Sequence, residues 1–401
     1  MKILVANLGS TSFKYRLYSL ADGGAETLMA RGSVERIGSN QAKIVLNSDK
    51  GEFTMVEPVA DHGEAVKICL DQLIDPSVGV LEKAGDVAAI GFKAVHAKGV
   101  TGVQFVTEDV LDAMEEFADV CPAHNPPYIK AMRMLGDRFP NLPMIAAFET
   151  GFHRSIPEAH QRYAIPDHWA TVYGVRRWGF HGASHRYIAG RMAEILGKPD
   201  AKIISCHLGG SSSLCAIKAG QSQACSLGMS PQTGLPQNNR VGDFDVFALP
   251  VLLRESGQSL HEILDTLANH SGLEGLSGAG RDLRDIEAEA KAGNPQAELS
   301  LEVYIASTRQ YLGAYLLQLD GADAIVFTGG IGENSVRIRE GVCANLDWFG
   351  IALDPAKNAT AKGEARVSTD ASRVQVWTVP TNEEIVVARQ ARDLLTGKAT
   401  H

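Results

Sequence analysis

No apolar run in this 401-residue sequence approaches the roughly 18 residues of a membrane helix, so no spanning segment is expected. Its six cysteines, Cys69, Cys121, Cys206, Cys215, Cys225 and Cys343, show no CxxC spacing. That pattern excludes a zinc knuckle and a disulfide framework and predicts buried thiols. No basic run occurs and the formal net charge is −9, which argues against a nucleic-acid surface and requires any anionic ligand to be met by a local cationic cluster. Neither GxGxxG nor GxxxxGK[ST] occurs, so Rossmann and P-loop readings are weak. The start, Met1-Lys2-Ile3-Leu4-Val5-Ala6-Asn7, reads as a buried strand rather than a signal segment, and the cytoplasm is the expected compartment.

What is present is a repeated device. Ile203 to His207 is an apolar strand that runs through Leu208-Gly209-Gly210-Ser211 into a second strand, Ser212 to Ile217. Near the start, Lys2 to Asn7 runs through Leu8-Gly9-Ser10-Thr11 into Ser12-Phe13-Lys14-Tyr15-Arg16. Asn7-Leu8-Gly9 and His207-Leu208-Gly209 lie 200 residues apart, which suggests two similarly built halves. Glycine lets backbone N–H groups approach an anion, and Ser and Thr hydroxyls add donors. Two unrelated tight hairpins would produce the same pattern.

Between these hairpins, Ala42 to Leu46 reads as a strand and His62 to Leu73 as a helix. Ala88 to His96 is a buried strand ending in polar residues, which makes Lys93 a candidate; Val110 to Phe117 follows as a helix. The prolines of Cys121-Pro122-Ala123-His124-Asn125-Pro126-Pro127 predict a stiff loop holding His124 and Asn125, before a helix from Tyr128 to Leu135. The strand Pro143 to Phe148 ends at Glu149, a carboxylate placed either for a reacting centre or for a helix cap. Arg177 to His185 gathers cations, histidines and aromatics among glycines. His181 and His185 have the four-residue spacing of zinc ligands on a helix, but Gly182 weakens a helical reading and the HExxH glutamate is missing.

In the second half, Ser226 to Asp245 is an apolar-poor loop around Arg240 of the kind that usually carries function. Leu301 to Leu317 reads as a core helix. Ala324 to Thr328 enters a glycine turn, Gly329-Gly330-Ile331-Gly332, followed by a helix from Ser335 that suits phosphate or nucleoside. Glu383 and Glu384 open a closing helix, where they either complement its dipole or face a metal.

Seven stretches in order resemble the acetate kinase family of short-chain acyl kinases: Asn7 to Lys14, His124 to Pro127, Arg177 to His185, His207 to Gly209, Asn239 to Asp243, Thr328 to Asn334 and Pro380 to Glu384. The resemblance implies a two-domain α/β fold like that of actin, Hsp70 and sugar kinases, a duplicated ribonuclease H-like architecture with an interdomain cleft. Residues 1–150 and 382–401 are expected to form one domain and residues 151–381 the nucleotide-binding other, with both hairpin turns in the cleft. The implied reaction is ATP + carboxylate ⇌ ADP + acyl phosphate, with Mg²⁺ and by direct in-line transfer, in a homodimer.

By the same resemblance, Asn7, Ser10, Ser12 and Lys14 surround phosphate and metal. Arg240 and His181 contact the transferring phosphoryl, and His124 and His207 line the site, as do Gly209, Gly210, Gly329 and Gly332 through their motifs. Asp282, Arg284 and Gly330 match adenosine positions, and Glu383, or Glu384 one place on, holds the metal. Val95, Ala123, Phe180 and Pro231 form the acyl pocket. Four positions depart from the family pattern: Lys93 replaces an arginine, Glu149 an aspartate, Gly210 an asparagine, and Ala123 a bulky apolar residue. The reading is an acyl kinase for acetate, propionate or a somewhat larger acid; the alternative is a divergent ATPase or nucleotide-binding protein of the same fold.

Overall fold

The computed structural model describes residues 1–9, 11–21 and 24–398. It divides into two compact units, Met1–Gly151 with Asn382–His401, and Phe152–Thr381.

The first unit begins with an antiparallel run, β1 (Lys2–Leu8), β2 (Ser12–Leu20), β3 (Glu26–Glu35), β4 (Ser39–Ser48) and β5 (Gly51–Val59). It continues with β6 (Val87–Ala94), β7 (Val103–Phe105) and β8 (Met144–Phe148). The sheet order is β5-β4-β3-β2-β1-β6-β8-β7, and β6 pairs parallel with both β1 and β8. Leu4, Phe13, Ile44, Phe92, Leu73 and Met132 pack on one side of this sheet beneath the helices His62–Ile74 and Asn125–Arg138. The helix Glu383–Leu395 packs on β1 and β6. A side chain on Gly91 of β6 would come within 2.9 Å of Val387, so the close seating of that helix explains the glycine.

In the second unit, β9 (Lys202–Leu208), β10 (Ser212–Lys218) and β11 (Gln221–Cys225) form an antiparallel run. The later strands β12 (Ala324–Thr328), β13 (Ala365–Arg366) and β14 (Gln375–Thr378) complete the order β11-β10-β9-β12-β14-β13. Both faces are covered. Ile204, Leu214, Ile325 and Phe327 pack with Leu301 and Tyr304 of the helix Pro295–Gln318. Their neighbours Ile203, Ile217 and Val326 pack with Ile188 and Met192 of the helix Gly182–Leu196. Strands buried on both faces read as the continuous apolar runs seen in the sequence.

Three local readings are corrected. Asn125-Pro126-Pro127 is the first turn of the helix Asn125–Arg138 rather than a loop, because proline is well tolerated where the N–H has no helical acceptor. Gly182 opens a helix, with His181 at the N-cap. Gly329 to Gly332 belong to the short helix Gly329–Asn334, which precedes the expected one at Val336–Cys343. All six cysteines are free and buried, and no described helix is long and apolar enough to cross a membrane.

Candidate active site

In the first unit, chemistry-bearing side chains gather at the ends of β1, β6 and β8. Asn7, exposed near the end of β1, accepts a hydrogen bond on Oδ1 from the Tyr128 hydroxyl at 3.1 Å, and that hydroxyl accepts from the Leu8 N–H at 3.3 Å. Lys93 of β6 is ion-paired to Glu383 at the start of the last helix. Burial lowers the Lys93 pKa, but the Glu383 and Glu149 carboxylates outweigh it and raise the value above the usual lysine range. Glu149, only 5% exposed, follows β8 directly. Burial raises the Tyr128 pKa, with Lys93 opposing it.

The helix carrying Glu383 is held by its cap. Asn382 Oδ1 accepts from the Ile385 N–H at 3.2 Å and from the Tyr18 hydroxyl at 3.1 Å. Arg16 pairs with Glu384 at 3.2 Å, so the neighbouring carboxylate is committed to β2. Lys14 and Asn7 are partners across β1 and β2 and line a cavity of about 280 Å³ with Arg16, Arg31 and Glu384. Ser12 closes the turn, its carbonyl accepting from the Gly9 N–H at 2.8 Å. Ser10 lies outside the described residues. His124 is the N-cap of its helix and half-buried, Val95 is half-buried, and Ala123 is exposed.

In the second unit the hairpin turn after β9 faces a cavity of about 560 Å³ lined by Gly209, Gly210, Asn238, Asp282, Arg284, Glu287, Gly330 and Asn334, among others. Asp282 caps its helix and accepts from Arg284 Nη2 at 2.6 Å, and that guanidinium holds its carboxyl at about 2. Gly329 and Gly332 do not line this cavity but let backbones pack. Gly329 has φ +77°, and a Cβ there would meet the Leu208 carbonyl oxygen at 2.7 Å. Gly332 is buried against Phe327, and its carbonyl accepts from buried Arg339 at 2.9 Å.

Arg240 donates from Nη1 to Ser211 Oγ at 3.3 Å, to Gln237 Oε1 at 3.2 Å and to the Pro231 carbonyl at 3.4 Å. Its loop is tied off by Asp243, which accepts from the Gly234 N–H at 2.9 Å and from the Tyr311 hydroxyl at 2.5 Å. His181 sits in the left-handed region at φ 57°, a conformation that costs a non-glycine residue energy and is concentrated at functional sites. Its Nδ1 meets Ser213 Oγ at 2.7 Å, and its ring centroid lies 4.3 Å from that of His207. His207 is held through Nδ1 by Ser184 at 2.8 Å. His185 is fully buried between Ser205 and Ser213, and burial pushes its pKa well down. Serine hydroxyls engage both ring nitrogens of His185, so its four-residue spacing from His181 serves this buried network. Phe180 and Pro231 are buried in this unit.

The sequence reading missed Tyr128, Gln237 and Ser213, which hold Asn7, Arg240 and His181 respectively. Their only sequence signal was adjacency to a motif.

A nucleotide-sized cavity bounded by glycine turns, with an arginine fixed on the adjoining hairpin, defines a phosphotransferase of α/β architecture. A model of the acetokinase family matches residues 2–389. The chain is 40% identical to the acetate kinase of Alkaliphilus metalliredigens over 98% of this chain and 100% of that one. It superposes on the crystal structure of Porphyromonas gingivalis acetate kinase with TM-score 0.87 and 35% identity, covering 98% of this chain and 99% of that one. A propionate kinase from Francisella tularensis subsp. tularensis gives TM-score 0.87 at 29% identity, with 97% and 98% covered. The chain belongs to the acetokinase family.

Proposed function

We propose that this protein transfers a phosphoryl group reversibly between ATP and a short-chain carboxylate, giving acyl phosphate and ADP. The observation that carries this reading is Arg240, held on Ser211 of the same hairpin whose Gly209 and Gly210 line the 560 Å³ cavity. A carboxylate oxygen forms the new bond to the γ-phosphorus as the bond to the ADP oxygen breaks. The attacking group is already an anion, so no general base is required. Negative charge spreads over the equatorial oxygens, where the Arg240 guanidinium and the His181 ring stabilise it. Asp282 and Arg284 take the nucleoside end, and His124 and His207 line the site.

Asn7, Glu383 and buried Glu149 offer the hard oxygen donors that Mg²⁺ prefers, and Lys93 leaves that cluster with net negative charge. These residues fit a metal that enters on nucleotide phosphates and waters rather than one held in a protein cage. Mg²⁺ would supply charge neutralisation at the β- and γ-phosphates. Lys14, Ser10 and Ser12 would act on the phosphates.

Ala123, with Val95, Phe180 and Pro231, favours propionate or butyrate over acetate. Ala297, Leu301, Tyr304, Leu312, Tyr315 and Leu316 of the helix Pro295–Gln318 are buried in the unit's own core, whereas Leu299 and Leu317 are exposed. Support for a homodimer comes from those two leucines and from exposed Val246, Phe247, Val251 and Leu264, and the cytoplasm is the proposed compartment. The function is tested by supplying ATP, Mg²⁺ and each acid and trapping acyl phosphate with hydroxylamine. Hydroxamate should form with the acid present, and ATP hydrolysis without hydroxamate would refute acyl transfer.

A further inference from the structure

Gly210 lacks the backbone reason for being glycine that Gly329 has. Its φ lies outside the left-handed region, and the nearest neighbour of a Cβ built there is a side chain, Asn238, with Nδ2 at 3.4 Å and Cγ at 3.9 Å. The Asn238 carboxamide therefore occupies the space into which a side chain at 210 would grow. Its backbone is fixed on both sides: the N–H donates to the Gly210 carbonyl at 3.1 Å, and the carbonyl accepts from the Glu274 N–H at 2.8 Å. Its Oδ1 is buried and has no hydrogen-bond partner among the described residues, although Asn238 lines the cavity with Gly209, Gly210 and Gly330. Buried amide oxygens are normally satisfied, so no local network holds this carboxamide to the wall, and its donor end, Nδ2 beside Gly210, is the end that can meet an anion in the cavity.

We propose that Asn238 is a nucleotide ligand of this pocket, its carboxamide contacting the polyphosphate end of ATP or ADP in place of an amide at position 210. The inference rests on the reading of the cavity as the nucleotide site. Because Asn238 and Arg240 share one loop, the segment that holds the nucleotide also carries the arginine of the transferring phosphoryl. Gln237 makes the join, donating to the Pro231 carbonyl at 2.8 Å and accepting from Ser211 at 2.6 Å.

The test measures ADP binding by calorimetry and the KM values for ATP and for the acid in the full chain. Asn238→Ala should weaken ADP about tenfold and raise the ATP KM in step, leaving the KM of the acid unchanged. Asn238→Asp keeps the shape but sets a carboxylate against phosphate, and should weaken ADP further than alanine does. Gly210→Asn alone should also lose affinity by crowding Asn238, whereas Gly210→Asn with Asn238→Ala should regain most of it. ADP binding within twofold of native in both Asn238 variants, or a double variant no tighter than Asn238→Ala, overturns the proposal. A native chain that binds no ADP would refute the pocket reading itself.

Discussion

The two units share a strand plan and differ in how they clothe it. In each sheet three antiparallel strands precede two added in parallel: β3-β2-β1-β6-β8 in the first and β11-β10-β9-β12-β14 in the second. The first hairpin turns between Leu8 and Phe13, the second between Leu208 and Ser212. On β2, however, buried Phe13, Tyr15 and Leu17 alternate with exposed or half-buried Lys14 and Arg16, whereas Ser212 to Ile217 of β10 are all buried. One plan thus presents charge in the first unit and an uncharged glycine and serine cradle in the second. The difference suits the proposed division of labour: phosphate and metal groups on one hairpin, nucleotide on the other.

The largest expected effect lies beside the second hairpin, on the loop that meets Ser211. Arg240→Ala should lower kcat on the order of 10³-fold or more while ADP affinity stays near native, since the guanidinium is proposed to act on charge that develops in transfer. Equal losses in binding and turnover would instead make Arg240 a nucleotide ligand. On the first unit, Lys93→Met leaves Glu383 and Glu149 without their cation. It should cost on the order of 10² in kcat/KM for the acid with ADP binding retained, whereas Lys93→Arg should lower the KM of the acid through a bidentate fork.

The second unit should also be the more acid-sensitive one. His153 is buried between Ser222 and the Phe180 carbonyl, and burial lowers its pKa from 6.5 to about 4. Between those values the unfolded chain takes up a proton that the folded chain refuses. Stability is therefore complete above about pH 6.5 and falls as pH drops towards 4, by on the order of 3 kcal/mol. Melting curves from pH 7 to 5 should flatten in His153→Gln, and an unchanged slope would remove His153 from the account.

Two glycine substitutions separate backbone strain from crowding. Gly329→Ala puts a β-carbon at φ +77° against a carbonyl oxygen and should cost about 2 kcal/mol in denaturant unfolding. Gly9→Ala meets only the rotatable Ser12 hydroxyl at 2.5 Å and should cost under about 1 kcal/mol. The smallest effect is on substrate choice. Ala123→Leu should shift preference back towards acetate by about fourfold per methylene, read as ratios of kcat/KM. An unchanged ranking, with acetate already best, would refute the enlarged pocket.

Much of this was legible before the structure. The runs Lys2–Asn7, Ile203–His207 and Ala324–Thr328 declared themselves as strands because their apolar residues are continuous. Strands β3 and β5 escaped notice because most of their residues are exposed or only half-buried, so Glu26–Glu35 and Gly51–Val59 lack a clean apolar period. The helical start at Asn125 was hidden by prolines that punctuate a loop and open a helix equally well. At the site, motif residues were legible as chemistry, but their pairings were not. That Lys93 meets Glu383 depends on a contact spanning 290 residues, and that Gln237 meets Ser211 depends on a loop with no periodicity.

The contact between Lys93 and Glu383 also has a biosynthetic meaning. At the usual pace of about 5–20 residues per second, a ribosome needs roughly 15–60 s to travel from one partner to the other, and the whole second unit emerges in that interval. Until then Ile3, Val5 and Gly91 wait without the helix that seals them, and Lys93 waits without its carboxylate. The second unit can mature as an insert while the first remains a nascent sheet with one open face. The stretch that follows the second unit thus both closes the first core and installs the acidic group beside Lys93, so the first unit is completed only after the second has been made.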